Sequence, residues 1–108
     1  MKAYAKTKFV RISPRKARLA AALMRKKPVA DALTALQFSN LKGGRLLKKT
    51  LESAIANAEN NFDMRPEELQ VIEVRVDEGP TMKRAKSKCR GGRTPIMKRT
   101  SHFTVVVG

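Results

Sequence analysis

Residues 69–107 read LQVIEVRVDEGPTMKRAKSKCRGGRTPIMKRTSHFTVVV, and the way this stretch divides decides the fold. Its outer parts, Leu69-Gln-Val-Ile-Glu-Val-Arg-Val76 and His102-Phe-Thr-Val-Val-Val107, are rich in β-branched and aromatic residues and read as strands. Ile72, Val74 and Val76 alternate onto one face of the first, as do Phe103, Val105 and Val107 in the second. Between them, residues 79–100 hold eight Lys or Arg and no acid. A two-residue turn would have joined the strands. Instead about eleven residues go out and about eleven return, a reach of roughly 30 to 36 Å at roughly 3.3 Å per extended residue. A compact domain seldom carries such a loop unless the loop is functional. It has too few apolar residues to offset the entropy of ordering it, so its order is expected to come from a polyanion.

Upstream, Leu47, Leu51, Ala54, Ile55, Ala58 and Phe62 fall at i, i+4, i+7, i+8, i+11 and i+15, one stripe of a 3.6-residue period. This predicts a long helix from Arg45, with Asn40-Leu-Lys-Gly-Gly44 as the connection before it. Arg65-Pro66-Glu-Glu68 is the turn after it. Ser13-Pro14 supplies an N-cap and an N1 proline for a first helix running to about Met24 or Lys26. Its expected core face is Ala17, Leu19, Ala20 and Leu23, and its other face carries Arg15, Arg18 and Arg25. Pro28 restarts the chain as a second helix with Val29, Ala32, Leu33 and Leu36 at helical spacing, ending near Phe38. Tyr4 to Ile12 reads as an opening strand or extended arm. The expected architecture is α+β: three helices packed on one side of a small antiparallel three-stranded sheet, with a long β-hairpin arm at about residues 79–100. At 108 residues this is expected to be one domain, residues 1–108.

The formal charge of +15 is unevenly placed. Residues 1–27 hold ten bases and no acid, residues 28–78 hold six bases and nine acids, and residues 79–108 hold eight bases and no acid. Positive charge at both ends of a chain with a balanced middle predicts an electropositive surface for a polyanion, with nucleic acid first. The arm has no aromatic residue, so phosphate contact and groove insertion fit it better than base stacking. The basic arm lacks an apolar face to insert into lipid, and no stretch approaches the ~18 apolar residues of a membrane span. The N-terminal residues are charged throughout and have no apolar core of a signal peptide, so a cytosolic location is expected.

Catalysis finds no convergent set of titratable groups. Glu52 and Glu59 sit on a solvated helix face, Glu67 and Glu68 follow a turn proline, and Asp77 and Glu78 point to opposite faces of a strand. His102 has no Ser, Cys or Asp relay. Cys89 stands alone, without a resolving cysteine or general base, and one His with one Cys makes no zinc site. Gly91-Gly92 lacks the spacing of a phosphate loop and is expected to let the arm reverse at its tip. No cofactor, metal or small-molecule substrate is expected.

Four stretches, in order, together resemble one family: Ile12-Ser-Pro-Arg-Lys-Ala-Arg18, Ser53-Ala-Ile-Ala-Asn-Ala-Glu-Asn-Asn-Phe62, Asp77-Glu-Gly-Pro-Thr-Met-Lys-Arg84 and Lys98-Arg-Thr-Ser-His-Phe-Thr-Val-Val-Val107. They look like the bacterial-type ribosomal protein L22 family of the large subunit. The resemblance implies a non-enzymatic ribosomal component in the cytoplasm, its α+β domain on the subunit surface and its arm threading ribosomal RNA to the wall of the nascent-peptide exit tunnel. It further implies a role in subunit assembly, with ribosomal RNA, neighbouring ribosomal proteins and the nascent peptide as partners. By position, Met82, Lys83 and Arg84 lie on the outgoing limb near the tunnel, Lys88, Cys89, Arg90, Gly91, Gly92 and Arg93 form the tip, and Lys98 and Arg99 lie on the return limb. Arg15, Lys16 and Arg18 match the basic start of the first helix. Lys6, Lys8, Arg11, Arg25 and Lys86 complete the expected RNA contacts. The chain departs from the family's usual pattern at Cys89 and Pro95 in the tip region, and at Lys26, where glycine is common. Two other readings stay open: a winged-helix DNA-binding protein, although wings are usually shorter than this arm, and a regulatory binder of a messenger or a protein.

Overall fold

A computed structural model describes residues 2–87 and 91–108, and for Arg93 the backbone alone. Strand β1 (Ala3–Val10) leads into helix α1 (Pro14–Ala21), followed by α2 (Val29–Gln37), α3 (Lys42–Phe62), a 3-10 turn (Pro66–Glu68), and strands β2 (Val71–Glu78), β3 (Met82–Ser87), β4 (Arg93–Lys98) and β5 (Ser101–Val107). β1, β5 and β2 form an antiparallel sheet in that order, while β3 and β4 form a separate two-stranded ribbon. The expected α+β architecture with its hairpin arm is therefore present. A radius of gyration of 16.7 Å and extents of 62 × 25 × 16 Å record the arm, since a compact chain of this length has a radius near ~13 Å.

The central strand β5 organises the core. Phe103, Val105 and Val107 are fully buried on its inner face, and α3 lays Leu47, Leu51, Ala54 and Ala58 against the sheet. Each fully buried Leu, Val or Phe contributes about 1.5–3 kcal/mol relative to exposure. Two buried hydroxyls are satisfied within this layer: Ser101 Oγ donates to the Ile12 carbonyl at 2.7 Å, and Thr50 Oγ1 meets Thr7 Oγ1 at 2.9 Å.

Several boundaries and faces differ from the sequence expectation, each for a local reason. α3 begins at Lys42 rather than Arg45, taking Gly43 and Gly44 into its first turn. A Cβ added at Gly43 would stand 3.1 Å from Ala20 Cβ, 3.2 Å from Ala17 Cα and 3.3 Å from Ile12 Cδ1, so glycine here allows α1 and α3 to approach closely. The expected stripe of α3 holds except at its last member, Phe62, which is exposed at the helix end. α1 stops at Ala21 instead of Met24 or Lys26, and the turn that follows ends with Lys26 at φ +58°, the left-handed conformation that glycine adopts without penalty. Ser13 caps α1 as expected, accepting from the Lys16 N–H at 3.4 Å, with Pro14 at N1.

Two residues assigned to the core face lie outside it. Leu19 is 63 % exposed; Ala17, Ala20, Ala21 and Met24 fill the core instead, and Leu23 is half-buried. Ile72 is 41 % exposed, and Val71 takes its place. The reason is a β-bulge: Val71 pairs with Val107 but Glu73 with Val106, so Ile72 is an extra residue that shifts the alternation by one. A second shift between Thr7 and Val10 bends β1, with Phe9 at φ +58°. The Phe9 N–H donates to His102 Nδ1 at 3.1 Å, and the two rings meet edge to face at 5.0 Å.

Candidate nucleic-acid interface

The arm starts at a collar. Gly79 donates its N–H to the Thr100 carbonyl at 3.0 Å, and Thr100 Oγ1 donates to the Pro80 carbonyl at 2.7 Å. A Cβ on Gly79 would fall 2.5 Å from Thr100 Oγ1, so the two limbs of the arm cross this closely because residue 79 is glycine. Beyond the collar the ribbon pairs Met82 with Lys98, Lys83 with Met97, Arg84 with Ile96, Ala85 with Pro95, Lys86 with Thr94 and Ser87 with Arg93.

No rung of this ladder pairs two cations. Like charges directly opposite are destabilising, and this register avoids them. Alternation places Arg84 and Lys86 on one face of β3 and Lys83 on the other, all exposed. Positive charge therefore leaves the arm on both sides. Gly91 has φ +75° with nothing within 4 Å of an added Cβ, so its role near the tip is conformational rather than steric. Lys88, Cys89 and Arg90, expected at the tip, lie outside the described residues, as does the side chain of Arg93.

The structure gathers some of the other expected contacts and not others. Arg11, Lys16, Lys98 and Arg99 come together around an open groove of about 770 Å³ at the base of the arm, which brings the two acid-free ends of the sequence to one place. Lys42 joins them, its Nζ donating to the Arg11 carbonyl at 2.8 Å. Sequence reasoning missed Lys42 because Gly43-Gly44 read as a loop. The signal that could have found it is the small-residue pair Ala17 and Ala20, which lets α3 start against α1. Leu19, exposed on α1, lines the groove as well.

Arg15 is exposed on the first turn of α1 outside the groove lining, and Arg25 follows that helix at its other end. Arg18 is partly structural: its Nε and Nη2 donate to the Val76 carbonyl at 3.3 and 3.0 Å, tying α1 to β2. Lys6 and Lys8 are exposed on β1, with Lys6 Nζ 5.9 Å from the centre of the Tyr4 ring. On the sheet's outer face Arg75 pairs with Glu73, whose hydrogen bond and charge hold the guanidinium above its ordinary range. Among the described residues the only other ion pair is Lys48–Glu52, at 3.9 Å along α3. Among the described residues, none of the expected contact side chains thus has its charge matched by a carboxylate.

Among the described residues no helix is long and apolar enough to cross a membrane, and no group of three or more His, Cys, Asp or Glu could hold a metal ion. Fold and surface define a class: a small α+β body that projects a basic two-stranded ribbon far beyond its own core. The chain belongs to the ribosomal protein L22p/L17e family, whose model matches residues 5–108. It is 71 % identical over 106 residues to the large ribosomal subunit protein uL22 of Protochlamydia amoebophila, covering 96 % of each chain. It is 62 % and 61 % identical over 104 residues to the proteins of that name in Chlamydia felis and Chlamydia trachomatis serovar L2, covering 96 % of this chain and 94 % of each relative.

Proposed function

We propose that this protein is a structural, non-catalytic component of the large ribosomal subunit that binds ribosomal RNA. Its body sits on the subunit surface, its arm penetrates the RNA toward the peptide exit tunnel, and its binding supports subunit assembly in the cytoplasm. Ribosomal RNA and neighbouring ribosomal proteins are its partners, and the nascent peptide passes the arm's tip.

The observation that carries this reading is the arm itself. It has cations on both faces, no two of them opposed in the ladder, and exposed side chains from Lys83 to Ser87. A ribbon meant to lie on a flat surface needs charge on one side only. One that is surrounded by phosphates needs it on both, and RNA offers that enclosure. A DNA-reading wing would present one face to a groove; the family and the two-sided charge favour RNA.

The test replaces Met82–Lys98 by Asn-Gly, a two-residue hairpin turn. The shortened chain is expected to melt as a cooperative unit close to the parent's temperature, yet to be washed from large ribosomal subunits by salt that leaves the parent bound. An arm-deleted chain that stays on the subunit as firmly as the parent would overturn the reading. So would parent protein that binds duplex DNA and ribosomal RNA equally at the same physiological salt.

A further inference from the structure

The groove at the base of the arm has a composition that phosphate contact alone does not require. Its lining is cationic and free of acid, with Lys16 from α1, Lys42 from α3 and Arg99 from the link between β4 and β5. Beside these cations, Leu19, Leu41 and Met97 line the groove and remain 63 %, 42 % and 49 % exposed. The core does not use these three side chains, and the body does not cover them. Duplex backbone would engage the cations and leave the three exposed apolar side chains without a partner.

An unpaired nucleotide matches both parts. Its base has an apolar face that side chains can pack against once it is unstacked, and a phosphate flanks it on either side. The volume of about 770 Å³ lies in the ~300–1,000 Å³ range of sites that enclose molecules of this size. The local sequence also departs from helix preferences where the groove is. Leu41 occupies the N-cap of α3 with no side-chain cap, and neither α1 nor α3 has an acid in its first turn, where Lys16 and Lys42 stand instead. Such departures from local preference are expected where function is served.

We propose that this groove seats one unpaired nucleotide of the RNA, its base over Leu19, Leu41 and Met97 and its flanking phosphates on Lys16, Lys42 and Arg99. The inference rests on the RNA-binding reading above and adds the ligand class at this position: a splayed nucleotide instead of duplex backbone. An acidic segment of a neighbouring protein would suit the cations but leaves the exposed Leu19, Leu41 and Met97 unexplained.

The experiment uses the full chain and protein-free large-subunit ribosomal RNA, measuring affinity across a salt series and base reactivity by chemical probing. Leu19→Ser is expected to weaken binding by about three- to tenfold with an unchanged salt slope, and to expose one unpaired base that the parent protects. Lys16→Gln with Lys42→Gln should expose the same base and lower the salt slope by about 1.4 to 1.8, two phosphates at roughly 0.7–0.9 each. Lys83→Gln with Arg84→Gln, on the arm, should lower the slope while that base stays protected. Leu41→Asp guards against misfolding as an explanation: it supplies α3 with a capping residue and so should melt no lower than the parent, but its carboxylate in the groove should expose the base. Unchanged protection in the groove variants, or protection lost only at paired nucleotides, overturns the proposal. If instead the groove variants bind this RNA as the parent does but, incorporated into large subunits, fail to retain a neighbouring ribosomal protein, the occupant is an acidic peptide and the proposal also falls. Failure of the parent itself to bind this RNA removes the RNA reading as a whole, an outcome distinct from the others.

Discussion

β5 and the ribbon β3–β4 are both antiparallel strands of similar length, and they are ordered by different means. Along β5 every second side chain, Ser101, Phe103, Val105 and Val107, is fully buried. Along β3 Met82 is half-buried and every residue from Lys83 to Ser87 is exposed. The sheet is held by side chains excluded from water, while the ribbon has its ladder and its collar, and among its described residues no side chain is buried. A two-stranded ribbon is marginal by itself in water. The same secondary structure is thus self-sufficient in the body and dependent on surroundings in the arm, which is the division expected of a protein whose extension is completed by a partner.

That contrast can be broken most sharply at Phe103. Phe103→Ala removes a fully buried ring from the central strand and should cost about 3–5 kcal/mol, measured by urea denaturation, a large share of the ~5–15 kcal/mol available to a domain. Gly79→Ala strikes the boundary between the regions. With Thr100 Oγ1 2.5 Å from the new Cβ, the collar must open, at about 1–3 kcal/mol, and exchange of the amide at position 79 should accelerate. Lys26→Gly works in the opposite direction, relieving the positive φ at the end of the α1 turn. A gain of about 0.5–1 kcal/mol in thermal unfolding is expected, since the left-handed conformation costs a side-chain-bearing residue roughly 1–2 kcal/mol and glycine returns part of that as unfolded-state entropy. Ser13→Ala should cost about 0.5 kcal/mol, the low end for a cap, because the hydrogen bond to Lys16 is long at 3.4 Å. Smallest of all, Lys83→Ala with Arg84→Ala should shift stability by no more than about 0.5 kcal/mol while lowering the salt slope of RNA binding. A large loss of stability there would mean that the arm is part of the folding unit after all.

Much of this fold was legible from residue spacing. The stripe from Leu47 to Ala58, the Ser13-Pro14 start of α1 and the two valine-rich strands are periodic signals that packing reinforces. The failures have a common origin in features with no local signature. The bulge at Ile72 depends on the partner strand, so alternation within Ile72, Val74 and Val76 could not reveal it. Gly43-Gly44 read as a loop because the close approach of α1 that makes glycine necessary lies over twenty positions upstream. Leu19 fitted a helical core face, and only the structure shows it lining a groove. The arm's charge was plain in composition. The convergence of Arg11, Lys16 and Lys42 with Lys98 and Arg99 was not, because it is a property of tertiary placement.

The strand order β1-β5-β2 has a consequence for how the molecule comes into being. β5 is the last element in chain order and the middle one in the sheet, so β1 and β2 have no ladder partner until residues 101–107 exist. During vectorial synthesis the three helices and both outer strands emerge before the element that unites them, and the basic ribbon emerges ahead of it as well. Closure of the sheet then joins Ala3 to Val107 across nearly the whole chain, a pairing of high sequence separation that is intrinsically slow. A growing chain of this protein is therefore a cationic, partly apolar polymer until residues 101–107 are made, and closure of the sheet waits for that strand.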